Sequence, residues 1–185
     1  LPDHSAFDAY SMLVEVDVRR LFYTRTLRGP GRKAALFDQP MATAPEADVV
    51  LMEGTHVRTT GEEVPRSSER DLEDELLTTI GATPGMVAVF SSAQNIDRLV
   101  TVYRAARRSR RTLVVDLYTA TVASATGRDT IPQLGFPGLA VYVPQRQRRR
   151  VAQSEEFRRV HEIADVRVFP EDLAREPSKF VYLGV

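Results

Sequence analysis

From residue 67 onward short apolar runs alternate with helix-like segments, and this alternation most restricts what the chain can fold into. Met86-Val87-Ala88-Val89-Phe90, Leu113-Val114-Val115 and Leu139-Ala140-Val141-Tyr142-Val143 are apolar at consecutive positions. A sheet with one wet face would instead alternate apolar and polar residues, so these runs suit strands covered on both faces. Such strands, separated by helices, predict an α/β domain built on a parallel sheet.

Residues 86–108 form the best-defined unit of this pattern. The apolar run meets Ser91 and Ser92, and apolar residues then recur at Ile96, Leu99, Val100, Tyr103 and Ala106 with the spacing of a helix that buries one face. The reading is strand, serine turn, helix. The first turn of a helix carries unpaired backbone N–H groups and the positive end of the macrodipole. Ser91, Ser92 and Asn95 add side-chain donors there, and Arg98 lies within the first turns. The turn suits a phosphate or carboxylate, although Ser91 or Ser92 capping the helix is the simpler role; the residues leave both open. Ligands of parallel sheets bind beyond the carboxyl ends of the strands, which is where Ser91, Ser92 and Asp116 fall.

The surrounding chain gives further expectations. A helix is predicted over residues 67–80, capped by Ser67 or Ser68, with acidic residues crowding its N-terminal half, Leu72, Leu76, Leu77 and Ile80 as its buried stripe, and Gly81 closing it. Another is expected over 118–126 before Gly127. A polar helix is expected over about 154–163, with His161 on its surface. Short apolar runs follow at 166–169 and 180–183. Before residue 65 the chain reads as strands and loops. Residues 10–24 suggest a hairpin turning at Asp17-Val18-Arg19-Arg20, residues 27–39 a basic loop, and residues 48–52 a short strand of the buried type entering Glu53-Gly54-Thr55-His56. The expected division is a segment 1–60 and an α/β domain 61–185.

Twenty-five basic and 25 acidic residues cancel, which argues against a surface built throughout to attract nucleic acid. Local patches remain: Arg28, Arg32 and Lys33, and the run Arg146-Gln147-Arg148-Arg149-Arg150. Each can be a solvated face or a phosphate contact. The absence of cysteine leaves any transition-metal site to His, Asp and Glu and fits a cytoplasmic protein. No apolar run approaches the roughly 18 to 20 residues of a membrane span. The first residue is Leu1 rather than Met, so a preceding segment is expected to have been removed or left out.

Three segments together resemble a known family. LPDHSAFDAY before a strand pair is similar to the third metal-ligand motif of metallo-beta-lactamase-fold hydrolases, particularly those with a beta-CASP domain, such as the ribonuclease J group. VVLMEGTHVR resembles the acidic first motif of the inserted domain, and FSSAQNIDRL its serine-and-asparagine segment. Order and spacing also match, over nearly the whole chain. The resemblance implies part of a metallo-beta-lactamase αββα sandwich, represented by the N-terminal hairpin, followed by a parallel-sheet beta-CASP-like domain. It implies His4 as a zinc ligand, Glu53 as the acidic residue at the domain junction, and Ser91, Ser92, Asn95 and Arg98 on the substrate-phosphate side of a cleft. In the family two divalent ions, usually zinc, activate a water that attacks a phosphodiester or another ester-like bond; RNA is the implied type of substrate.

The sequence departs from that pattern. The family's HxHxDH motif would precede His4 and its later histidine motifs would follow Val185. The strand after the hairpin runs Tyr23-Thr24-Arg25-Thr26 where the family has Gly-Asp, and Pro30 stands where it tends to have His. One histidine does not hold two ions, because each zinc needs three or four protein ligands, so this polypeptide alone is expected to lack metal-dependent hydrolase activity. It would be a fragment or altered copy of such an enzyme. The alternatives are a non-catalytic module that binds an anion or RNA, and an interaction subunit whose open sheet edges pair with a second copy or a complementary segment.

Overall fold

The structure, a computed structural model, describes residues 7–25, 45–53 and 67–185. His4, Arg28, Arg32, Lys33 and His56, and with them the expected basic loop, lie outside the described residues. The chain divides into two compact units, Leu1–Arg70 and Asp71–Val185.

The first unit contains a three-stranded sheet in the order β1-β2-β3, with β1 Met12–Val16, β2 Arg19–Arg25 and β3 Val49–Met52. Strands β1 and β2 are antiparallel, with Val16 opposite Arg19. The turn between them is therefore Asp17-Val18, two residues shorter than expected. Asp17 takes a positive φ of 53°, in the left-handed region that Asp tolerates better than most residues. Strand β3 runs parallel to β2 and is tied to it by Asp48, whose carboxylate accepts the Arg19 guanidinium at 2.9 Å and the Arg20 backbone N–H at 2.7 Å. These two bonds hold the Asp48 carboxyl below its ordinary pKa. Expected to be buried, β3 is exposed at all four residues. An apolar run specifies a strand, but burial requires something to cover it.

The second unit is α/β. Its five strands are β4 Val87–Phe90, β5 Thr112–Asp116, β6 Leu139–Tyr142, β7 Arg167–Val168 and β8 Phe180–Gly184, in the order β4-β8-β5-β6-β7 and parallel at every pairing. The helices are α1 Glu69–Ala82, α2 Ile96–Arg108, α3 Leu117–Ala125, α4 Gln145–Ser154 and two short ones, α5 Arg158–His161 and α6 Pro170–Arg175. Helix α2 packs on β5 and β8, and α3 on β5 and β6. The core contains Leu99, Val102, Leu113, Val114, Val115, Val141 and Val181, all essentially without solvent contact.

Two expectations are corrected here. The polar helix lies at α4, about nine residues earlier than expected, and takes in the arginine run; residues 154–163 hold only the end of α4 and the single turn of α5. The run at 180–183 forms β8, which lies between β4 and β5 and joins them. Helix α1 reaches Ala82, so Gly81 lies within it rather than closing it. The end of α1 is held by Arg111, whose guanidinium donates to the carbonyls of Gly85 at 2.7 Å, Ile80 at 2.8 Å and Thr83 at 2.6 Å. These carbonyls lie at a helix end that lacks intrahelical donors.

Candidate functional site: the carboxyl edge of the parallel sheet

Strand β4 ends at Phe90, and Ser91 extends its pairing by donating its N–H to the Gly184 carbonyl at 3.0 Å. Ser92 is exposed; its hydroxyl accepts the Gln94 N–H at 3.3 Å, and its carbonyl accepts that of Asn95 at 2.9 Å. These bonds fold residues 91–95 into a tight turn. The helix begins only at Ile96, and its cap is Asn95, whose Oδ1 accepts the Arg98 N–H at 3.0 Å. Neither serine caps α2. Asn95 spends its oxygen on the helix, so only its amide nitrogen remains to donate. Arg98 is half-buried one turn in.

The sequence reading overlooked Asp97. This residue lies in the first turn of α2 and is buried, placing a carboxylate near the positive helix end that an anion would occupy. Ser91, Ser92, Asn95 and Arg98 therefore come together at one turn. Of the four, Ser92 is exposed, and Ser91, Asn95 and Arg98 are half-buried. Glu53 directly follows β3 in the first unit and is exposed.

Asp116 ends β5 and caps α3. Only 2% exposed, it accepts the Thr119 N–H on Oδ1 at 2.7 Å and the Gln147 side-chain amide on Oδ2 at 2.8 Å. Gln147 in turn accepts the Tyr118 N–H on Oε1 at 3.3 Å. One amide thus fastens the first turn of α4 to that of α3.

Parallel pairing sets Phe90 opposite Gly184, Ala88 and Val114 opposite Tyr182, and Asp116 opposite Tyr142. Side chains alternate along a strand, so Phe90, Tyr182, Asp116 and Tyr142 share one face. Three rings form a row there, with centroids 6.5 Å apart for Phe90 and Tyr182 and 6.3 Å for Tyr142 and Tyr182, each pair edge to face. Gly184 makes room for the row, since a Cβ at that position would stand 2.6 Å from the Tyr182 ring. Burial, then the Asp116 charge, then Tyr142 push the Tyr182 hydroxyl above the usual tyrosine pKa. The row is uncovered at its end, where Phe90 is 72% exposed.

The described residues do not fit a two-zinc centre: among them no group of three or more His, Cys, Asp or Glu is placed to hold a metal ion. His4 lies outside them. Among the described residues no helix is long and apolar enough to cross a membrane.

No protein-family model and no curated protein matches the sequence. Among solved structures the chain is similar to a protein of unknown function from Enterococcus faecalis V583, with a TM-score of 0.69 at 16% identity, over 100% of this chain and 40% of that one. At that identity the likeness concerns the fold. The chain spans about two fifths of the length of that neighbour.

Proposed function

We propose that the chain is the substrate-holding part of a metallo-beta-lactamase-fold hydrolase with a beta-CASP domain, of the kind that cleaves nucleic-acid phosphodiesters. The observation that carries this reading is the turn at residues 91–98. The segment FSSAQNIDRL that resembles the family's serine-and-asparagine motif stands at the carboxyl edge of a parallel sheet, with an exposed Ser92 hydroxyl and Arg98 on the turn that follows. Parallel sheets bind their ligands at that edge, and a hydroxyl with a guanidinium is suited to phosphate oxygens. Glu53, His4 and two zinc ions belong to the catalytic side implied by the resemblance. No reaction step is assigned through the ions, because the described residues do not make their site.

The test is binding of a 5′-phosphorylated oligoribonucleotide to the purified chain, read by fluorescence anisotropy. Replacing both Ser92 and Arg98 with Ala is expected to weaken binding about tenfold, the loss of roughly one charge-assisted contact. Unchanged affinity would overturn the assignment of the phosphate to this turn. A metal assay on the same preparation checks the expectation that the chain alone is inactive; stoichiometric zinc together with turnover would refute it.

The second reading, a non-catalytic RNA-binding module or interaction subunit, is favoured by the exposed apolar strands of the first unit. Open strands of this kind pair readily with a second copy or a complementary segment.

A further inference from the structure

Acidic and basic side chains are paired over much of the described surface. Arg19 meets Asp48, Arg20 meets Glu15, Arg108 meets Glu73 and Asp74, Arg158 meets Glu162, and Arg175 meets Asp172. Helix α4 carries the densest group of basic side chains outside these pairs. Its ten residues, QRQRRRVAQS, hold four arginines and no acid. Arg146, Arg148, Arg149 and Arg150 are all exposed, and none makes an ion pair with a described residue. Arg146 and Arg148 lie in the first turn, where the helix dipole disfavours cations. An ordinary solvated face mixes the two signs, whereas this one carries positive charge alone.

The helix is also fixed in place. Gln147 and Val151 turn inward, and the Gln147 amide joins α4 to both Asp116 and the backbone of Tyr118. Tyr118, 45% exposed, stands at the start of α3 with its backbone N–H bonded to the first turn of the arginine helix.

We propose that α4 and Tyr118 form a contact surface for single-stranded nucleic acid, distinct from the turn at Ser91 and Ser92. The arginines meet the phosphates, and the exposed ring stacks on a base, the combination by which single strands are held without reading their sequence. A lipid surface fits less well, because a helix lying in a membrane interface needs a substantial apolar face and α4 offers only Val151 and Ala152. A duplex fits less well because its bases are already stacked. The inference shares the nucleic-acid class of the proposed function and places a second set of contacts on it.

The experiment measures anisotropy of a fluorescein-labelled oligouridylate with the full chain at several salt concentrations. The triple variant Arg148→Gln, Arg149→Gln, Arg150→Gln should bind about tenfold more weakly or worse, and the slope of log affinity against log salt should flatten by about two to three. The corresponding Lys variants should keep both, which excludes a folding defect as the cause. Tyr118→Leu should weaken binding several-fold and leave the salt slope unchanged.

Unchanged affinity in the triple Gln variant overturns the proposal. So does equal binding of duplex with no effect of Tyr118→Leu, or preference for anionic phosphatidylserine vesicles over the oligonucleotide. The Ser92 and Arg98 double variant separates the two readings. If it alone weakens binding, the α4 surface is wrong and the proposed function stands; if only the α4 variants do, the reverse holds. No binding of any oligonucleotide by the unaltered chain overturns both.

Discussion

Val49-Val50-Leu51-Met52 and Leu113-Val114-Val115 are chemically alike, yet Val50 is 54% exposed in β3 while Val114 is fully buried in β5. The second unit supplies what makes the difference. Its strands alternate with helices long enough to lie across them, so α2 and α3 come to rest on β5, β6 and β8. Strands β1, β2 and β3 form a sheet of their own, and β1 and β3 are exposed along their whole length. Hydrogen-bonded pairing can be complete while the apolar surface remains wet. What decides burial is the layer above the sheet, which belongs to other parts of a sequence.

This contrast can be broken by matched truncations followed by urea unfolding monitored by circular dichroism. Leu113→Ala removes a fully buried side chain and should cost about 2 to 5 kcal/mol. Leu51→Ala removes an exposed one and should cost within about 0.5 kcal/mol. Similar losses at the two positions would mean that β3 is covered in solution.

A smaller effect tests how the site is built. Asn95→Ala should destabilise the second unit by about 1 kcal/mol through loss of the cap, and Asn95→Asp should restore most of it. Ser92→Ala should leave stability unchanged, and a loss equal to that of Asn95→Ala would reassign the cap.

The smallest effect concerns pH. The Asp48 carboxyl is held below its usual pKa by the Arg20 N–H and the Arg19 guanidinium, so its contribution to the β2–β3 pairing is fully present above the ordinary carboxylate range. It should be lost as the pH falls through that range to the lowered value. Amide protection in β3, taken relative to the intrinsic exchange rate at each pH, should therefore fall on acidification, and Asp48→Asn should remove that dependence. An unaltered pH profile in Asp48→Asn would show that another carboxylate controls it.

Much of the second unit was legible because its signals are local. The runs at β4, β5 and β6 and the stripe of α2 can be read from a few residues at a time. The position of β8 could not, because four apolar residues at 180–183 do not state their neighbours. Helix α4 was missed for a different reason: QRQRRRVAQS presents almost no apolar stripe, so periodicity had nothing to detect. Asn95 was open to detection, since it stands immediately before Ile96, the first buried residue of α2, where caps belong. The position of residues 91–98 and Asp116 at the carboxyl edge of the sheet was legible. The roles of its residues depended on where the helix starts and on which groups are already engaged, as with the buried Asp97 and the bond between Asp116 and Gln147.

Because β8 lies between β4 and β5, it bears on the order in which the unit is assembled. Strand β4 pairs in its sheet with β8, and Val87 meets Val181, so the ladder joins segments separated by nearly all of the second unit. Closing so long a loop costs entropy before any contact repays it. Until residues 180–184 are present, β5, β6 and β7 can pair among themselves, but β4 and its serine turn have no strand to lie against. On a ribosome, the edge that carries Ser91 and Ser92 would be the last part of this unit to take shape.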